Sequence, residues 1–298
     1  VKTALLIDGD ILVHQVALVC EVPIQWTEDL WTLHSDIGEA SRELDRRISD
    51  LREHFPEASV IIALSSRTNW RKGVMPTYKS NRKATRKPLV WKPLRDYLAD
   101  KYDTREFDGL EGDDTLALLA TAPNPDAERR IIVSLDKDFN SVPGLTLNWR
   151  HAADAAECGV IDSYEEALME HTPADADLFF LTQAVAGDAT DGYPGCPGVG
   201  MVRAKKFLEE GLVLERTEKV LKSGPRKGQT VEEWVPGRPG TPWEVAVSVY
   251  AAAGLGEEVA LQNARVARLL RHGEFNPETG DVTLWAPTTQ APPESSSE

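Results

Sequence analysis

Carboxylates recur in this chain at places where a metal ion could use them. Asp8 ends the short apolar run Thr3–Ile7, and Asp136 and Asp138 follow the run Arg130–Leu135. Glu111, Asp113 and Asp114 open a helix-like stretch, and Asp188 and Asp191 sit in the turn Gly187-Asp188-Ala189-Thr190-Asp191-Gly192. A lone Asp is ordinarily a surface residue. Asp113 and Asp114 would also favour a helix N-terminus through the dipole, and Asp188 and Asp191 would suit a turn. Four acidic clusters at strand ends and loops together call for a common cause. Carboxylates converging on one sheet edge repel one another unless cations neutralise them. Oxygen donors without His or Cys suit Mg²⁺ or Mn²⁺ rather than zinc. Two such ions about 4 Å apart can activate a water and stabilise the leaving oxygen in phosphodiester hydrolysis.

The formal net charge of −15 over 298 residues opposes a polyanionic partner. Its distribution reverses that conclusion locally. Between Arg67 and Lys87 lie eight basic residues and no acid: Arg67, Arg71, Lys72, Lys79, Arg82, Lys83, Arg86 and Lys87. A positive block on an acidic body can hold a phosphate chain over a metal-filled pit. Hydrophobic residues at 41% and charged residues at 27% indicate a globular protein and exclude general disorder. No run approaches the roughly 18 apolar residues of a membrane span, and the N-terminal run is too short for a signal peptide. A soluble, cytoplasmic protein with no membrane partner is expected. Three scattered cysteines, Cys20, Cys158 and Cys196, indicate neither a disulfide framework nor a zinc site.

The elements that must position these acids follow from apolar periodicity. Thr3–Ile7, Ser59–Leu64 and Arg130–Leu135 read as short buried strands, and Glu39–Phe55 as an amphipathic helix with Leu44, Ile48, Leu51 and Phe55 on one face. Helices are expected around Leu94–Ala99 and over Asp113–Thr121, the latter ended by Ala122-Pro123-Asn124-Pro125. Strands alternating with helices predict an α/β fold, a mostly parallel central sheet with helices on both faces and sites at the carboxyl ends of strands. From about Ser163 the chain reads as mainly helical: Ser163–Glu170, Ala176–Ala186, Met201–Glu210, Trp243–Ala253 and Glu257–Arg271. Lys222–Pro242 reads as a loop or hairpin, its basic stretch Lys222–Arg238 as a solvated loop in preference to a duplex contact, and 286–298 as a disordered tail.

Five segments in order resemble the phage and bacterial 5′→3′ exonucleases and flap endonucleases, relatives of the 5′-nuclease domain of bacterial DNA polymerase I. They are Leu6-Ile7-Asp8-Gly9; Asn69-Trp70-Arg71-Lys72 with Tyr78-Lys79-Ser80-Asn81-Arg82; Leu110-Glu111-Gly112-Asp113-Asp114; Ser134-Leu135-Asp136-Lys137-Asp138; and Ala186–Gly200. The resemblance spans roughly residues 3–210. It implies a PIN-like metal-dependent nuclease core over 1–162 with a basic arch at about 67–100. A helical DNA-binding part would follow over 163–285, with a helix–turn–helix at about 178–210. Asp8, Glu111, Asp113, Asp114, Asp136, Asp138, Asp188 and Asp191 would be metal-site acids holding two or more Mg²⁺ or Mn²⁺ ions. Lys79, Arg82 and Arg71 would lie near the scissile phosphate, with Lys79 foremost in stabilising charge on it. Lys72, Tyr78, Lys83, Arg86, Gly198, Gly200, Arg203 and Lys205 would contact DNA. Tyr78 suits a base-stacking role and a core position equally. The turn before Met201 would bring backbone N–H groups to a duplex phosphate, and the resemblance extends to a K⁺ site there. Partners would be DNA 5′ ends, flaps and nicks, and RNA–DNA hybrids.

The chain departs from the family at the end of the second strand, where an Asp is usual and Ser65 or Ser66 stands here. Asp10, following Asp8 in Asp-Gly-Asp, either joins the site or caps the next helix. Two other readings compete with a two-metal 5′ nuclease. A PIN-type ribonuclease shares an acidic sheet edge but lacks the Gly195–Gly200 element and the full basic arch; a non-catalytic, structure-specific DNA-binding protein would be favoured by the missing Asp.

Overall fold

The computed structural model describes residues 2–84, 86–123 and 127–287, with the side chains of Lys83 and Ala84 outside the description. In chain order the elements are β1 (Thr3–Asp8), α1 (Gly9–Val19), β2 (Val22–Gln25), β3 (Trp31–His34), α2 (Ile37–His54), β4 (Ser59–Ala63) and α3 (Arg71–Val74). Next come α4 (Trp91–Lys101), β5 (Thr104–Arg105), α5 (Gly112–Thr121), β6 (Arg129–Val133), β7 (Gly144–Leu147), α6 (Trp149–Glu157) and β8 (Met169–His171). The last are α7 (Pro173–Ala186), α8 (Met201–Glu210), β9 (Leu212–Val220), β10 (Thr230–Pro239), α9 (Pro242–Ala252) and α10 (Glu257–Ala267). Among the described residues no helix is long and apolar enough to cross a membrane.

The chain forms two compact units that are not consecutive halves. The first holds the described residues up to Trp70, Arg82–Ala176 and Leu269–Thr283; the second holds Arg71–Asn81, Asp177–Arg268 and the described residues from Leu284 on. The expected division at 162/163 falls before the break at 176/177 and does not include two exchanges. Residues 71–81, in the middle of the basic block, pack with the second unit, and 269–283 return to the first.

The first unit is built on a six-stranded sheet in the order β5-β4-β1-β6-β7-β8. All its pairings are parallel except β7 with β8. β1 alternates its side chains between two buried layers, as the period of a strand requires. Leu5 and Ile7 join Leu12, Val16, Leu44, Ile48 and Leu94 from α1, α2 and α4. Leu6 joins Leu116 of α5, Ile132, Phe139 and Leu269 on the other face. Both faces being covered explains why β1 and β6 read as continuous apolar runs. Central β1 pairs with β4 and β6 together, so Asp8 is carried to the carboxyl edge beside Ala63 and one residue beyond the Ile7–Val133 pair.

In the second unit Phe180, Val185, Tyr193, Ala204, Leu208, Val245, Tyr250 and Ala264 share one core with Met75 and Tyr78. Three expectations are corrected here and in the first unit. Ser163–Glu170 is only a 3₁₀ turn at Tyr164–Ala167, capped by Ser163, followed by β8. The helix expected to run to Arg271 stops at Ala267, and Arg268 is extended. The helix–turn–helix is two helices, α7 and α8, joined by the long loop 187–200 rather than a short turn. Lys222–Pro242 does lie in a hairpin, whose strands begin earlier, at Leu212. Apart from Ala286 and Pro287, the expected disordered tail lies outside the described residues.

Candidate active site

At the carboxyl edge of the sheet, Asp8 is 2% exposed and is the N-cap of α1. Its Oδ1 accepts from the Ile11 N–H at 3.0 Å and its Oδ2 from the Ser134 hydroxyl at 2.8 Å. Ser134 Oγ in turn accepts the Asp136 N–H at 3.1 Å, and Asp136 Oδ1 accepts the Asp138 N–H at 2.9 Å. One hydroxyl thus ties the end of β1 to the acidic turn after β6. Burial pushes the Asp8 carboxyl up to about 7; the Ile11 and Ser134 bonds oppose the rise, and the negative charges of Asp10 and Asp136 add to it.

Glu111 is the N-cap of α5, and Asp113, partly buried, lies in its first turn. Asp114 is fully buried: Oδ2 accepts from Trp70 Nε1 at 3.1 Å and Oδ1 from the Leu270 N–H at 3.2 Å. These bonds fix the Asp114 carboxylate between Trp70 and the backbone at Leu270.

The departure at the second strand has a structural counterpart. The Ser65 N–H donates to Asp10 Oδ2 at 2.7 Å, the Gly112 N–H donates to Ser65 Oγ at 2.8 Å, and Arg95 Nη2 donates to the Ser65 carbonyl at 2.6 Å. Asp10 therefore reaches across to the end of β4, while Asp8 does the capping. Ser66 and Thr68 hydroxyls converge on Asp108 Oδ1 at 3.0 and 2.7 Å, which holds the Asp108 carboxyl below its ordinary range, Thr68 and Ser66 being the main causes. Sequence reasoning missed Ser65 as a junction, Arg95 and Asp108. Nothing in residue type flags Arg95, because its role depends on α4 passing the end of β4.

The second unit gathers a different set. The loop 188–193 closes on itself, with the Thr190 N–H donating to Asp188 Oδ1 at 2.7 Å and the Asp188 N–H to the Tyr193 carbonyl at 2.9 Å. The segment 78–81 is clasped to it. The Tyr78 hydroxyl donates to Asp191 Oδ2 at 3.0 Å, Lys79 Nζ lies 3.6 Å from the same oxygen, the Lys79 N–H donates to the Asp191 carbonyl at 2.7 Å, and Asn81 Nδ2 donates to the Ala189 carbonyl at 3.0 Å. Lys79 has φ 51, a conformation that costs a non-glycine residue about 1 kcal/mol and persists only where neighbours impose it. Beneath the loop, Gly187 and Gly195 have φ 75 and 62, and a Cβ on Gly195 would fall 2.3 Å from the Gly187 nitrogen.

Several expected contact residues have other tasks. Tyr78 is 2% exposed, so its ring is core and not a base-stacking platform. Arg71 is 1% exposed and donates to the Val266 and Arg268 carbonyls at 2.8 and 2.6 Å, which ties α3 to the end of α10. Arg86 is paired with Glu21 at 2.7 Å, and the Arg86 hydrogen bond is the main reason the Glu21 carboxyl falls to about 2. Lys205 pairs with Glu209 at 3.5 Å along α8. Lys72, Arg82 and Arg203 are exposed, as are Gly198 and Gly200 beside the start of α8. The Lys83 side chain lies outside the described residues.

The donor chemistry fits a hard divalent cation. Every candidate ligand is an oxygen, and a buried carboxylate whose ionisation is resisted by burial and by neighbouring acids is what such a cation relieves. Among the described residues, no three His, Cys, Asp or Glu side chains close on one point as a finished metal cage.

The first unit thus presents carboxylates at the carboxyl edge of a parallel sheet, and the second holds a lysine against an acidic loop. Residues 3–159 match the model of the 5′-3′ exonuclease, N-terminal resolvase-like domain. The chain is 34% identical over 297 residues to the exodeoxyribonuclease of Enterobacteria phage T3, covering 96% of this chain and 93% of that protein. It is 33% identical to the exonuclease of Escherichia phage T7, covering 96% and 94%, and 29% identical over 209 residues to the flap endonuclease Xni of Shewanella sp. (strain W3-18-1), covering 69% and 73%. The crystal structure of the T5 D15 protein co-crystallised with metal ions shares the fold, with TM-score 0.55 and 16% identity over 90% of each chain. The chain belongs to the 5′→3′ exonuclease family and is an enzyme of the nuclease class.

Proposed function

We propose that this chain is a divalent-metal-dependent 5′→3′ exonuclease and flap endonuclease acting on DNA 5′ ends, flaps and nicks, with the RNA strand of RNA–DNA hybrids as a further substrate. The observation that carries the reading is the hydrogen-bonded link Asp8–Ser134–Asp136, which sets two acids from adjacent parallel strands at the carboxyl edge of the sheet. Asp8, Asp136, Asp138, Glu111, Asp113 and Asp114 are the residues of the first unit that would hold Mg²⁺ or Mn²⁺, and Asp188 and Asp191 those of the second, for two or more ions. When bound, ions of this kind polarise a phosphoryl oxygen and make water a better nucleophile at neutral pH.

The chain's own residues do the rest. Ser134 keeps Asp8 and the acidic turn at Asp136–Asp138 in register. Lys79, fixed by its main-chain bond to Asp191, supplies positive charge to the phosphate as negative charge accumulates there. Arg82, exposed beside it in the chain, adds to the grip on the strand. Arg71 and Tyr78 position Lys79 from inside the core. Lys72, Arg203 and the Gly198–Gly200 backbone, with K⁺ held at that loop, would engage the duplex.

The test is digestion of duplex, nicked, flapped and hybrid substrates labelled at either end, with Mg²⁺ or Mn²⁺, wild type beside Asp136→Asn. Loss of label from DNA 5′ ends by the wild type alone is expected. Intact substrates under conditions where a control nuclease cuts them would refute the reading.

A further inference from the structure

The second unit carries a feature that the catalytic reading leaves unused. β9 and β10 form an antiparallel ribbon from the Leu212–Pro239 pair to the Val220–Thr230 pair. Its base is anchored. Leu214 is buried, its N–H donates to Ser248 Oγ of α9 at 2.9 Å, and the Gly240 N–H donates to the Gly211 carbonyl at 3.0 Å. From Glu215 to Val220 every residue of β9 is exposed.

Two-stranded ribbons are marginally stable in water without a face to bury. Along this shaft cross-strand charge pairs take the place of a core: Arg216 with Glu232, and Lys219 with Glu233 at 2.9 Å. The shaft stays acidic overall, with Glu215 and Glu218 beside the paired Glu232 and Glu233. Beyond them the balance changes. Between Lys219 and Val231 there is no acid, and Lys222, Arg226 and Lys227 are all exposed. The tip that bears them has a defined backbone: the Leu221 N–H donates to the Gln229 carbonyl at 3.0 Å, Gly228 to Leu221 at 2.8 Å, and Lys227 to Gly224 at 3.1 Å. Gly224 and Gly228 supply the positive φ of 81 and 85 that this turn requires.

An ordered projection that buries little and collects cations on a chain of net charge −15 is poorly explained by folding stability. We propose that the ribbon tip is a DNA contact in its own right, gripping the phosphate backbone of the duplex part of the substrate through Lys222, Arg226 and Lys227. The inference rests on the reading of the substrate as DNA. Charge complementarity points to phosphate, and the composition of the tip points to duplex. Residues 219–231 contain no Phe, Tyr, Trp or His on which an unstacked base could lie, which is the usual hold on a single strand. A two-stranded ribbon is also narrow enough to enter a major groove.

The experiment uses the full chain with Asp136→Asn as the binding parent. It compares that parent with the same chain carrying Lys222→Ser, Arg226→Ser and Lys227→Ser, and with one carrying Lys222→Arg and Lys227→Arg. Affinity for a labelled flapped duplex and for a single strand of equal length is measured across a salt series. The triple substitution should lower duplex affinity at least tenfold at 50 mM salt and flatten the log K against log salt slope by about 2 to 3, the value for three lost phosphate contacts. Single-strand affinity should change less than twofold, and the arginine variant should bind as the parent does. Equal duplex affinity and slope in parent and triple variant, or equal losses on duplex and single strand, would overturn this inference while leaving the nuclease reading intact. A parent that binds neither substrate, with a wild type that cuts none, would overturn both.

Discussion

Replacing Asp8 with Asn tests whether the sheet edge is an electrostatic trap for a cation. Asp8 is buried, and its carboxyl is raised from an ordinary value of 3.8 to about 7, chiefly by burial and further by Asp10 and Asp136. Between those two pH values the native protein binds a proton that the unfolded chain does not. Without metal, stability must therefore fall as pH rises from about 4 and level off above about 7. A gap of about three pKa units corresponds to a loss on the order of 4 kcal/mol. Asn preserves the cap on Ile11 and can pair with the Ser134 hydroxyl, but it cannot ionise. The assay is urea unfolding of both proteins from pH 4 to pH 8 in EDTA, repeated with Mn²⁺. The stability difference between Asp8→Asn and wild type should be near its minimum at pH 4 and grow toward pH 8 in favour of the variant. Mn²⁺ at about a hundredfold over its Kd should restore about 2.7 kcal/mol to the wild type and little to Asp8→Asn. Parallel pH curves in EDTA, or equal gains from Mn²⁺, would refute the reasoning.

Three further outcomes are expected. Lys79→Ala should lower kcat about 10²- to 10³-fold, the scale for removing one electrostatic stabiliser of a transition state, with a change in melting temperature of only a few degrees; single-turnover cleavage beside a melting curve checks it. Gly195→Ala should destabilise by more than 2 kcal/mol in urea unfolding, because the positive φ and the contact of its Cβ with the Gly187 backbone act together. Arg71→Met should cost about 3 kcal/mol in the same measurement by leaving the buried Val266 and Arg268 carbonyls unpaired, and Arg71→Lys should recover only part of it, since an ammonium lacks the fork that reaches both.

The central strands, the acids at their ends and the order of the five motif segments were legible in the chain because they depend on local pattern. An apolar run ending in Asp needs only burial on both faces to become a sheet edge with a carboxylate, as β1 and β6 do. The amphipathic face Leu44–Ile48–Leu51 likewise follows from a period of 3.6. The connection of α7 to α8 was not legible as a short turn, because the loop 187–200 is organised by Gly187 and Gly195 meeting back to back. Elements of two to four residues, such as β5 and β8, carry too little pattern to be read in advance.

What the amino-acid sequence determined by itself was the chemistry on offer: oxygen ligands, a cationic segment and the strands that present them. Only the tertiary structure decided which partners each of those side chains meets. Asp114 and Asp8 are both buried acids from matching motifs, yet Asp114 accepts from Trp70 and the Leu270 backbone while Asp8 is joined through Ser134 to the turn at Asp136. Arg71 and Lys79 belong to one basic block, yet the guanidinium closes the end of a helix and the ammonium stays beside Asp191. Such assignments depend mostly on partners more than a hundred residues away in the chain, and residue type and local spacing hold no information about which distant carbonyl or carboxylate will arrive.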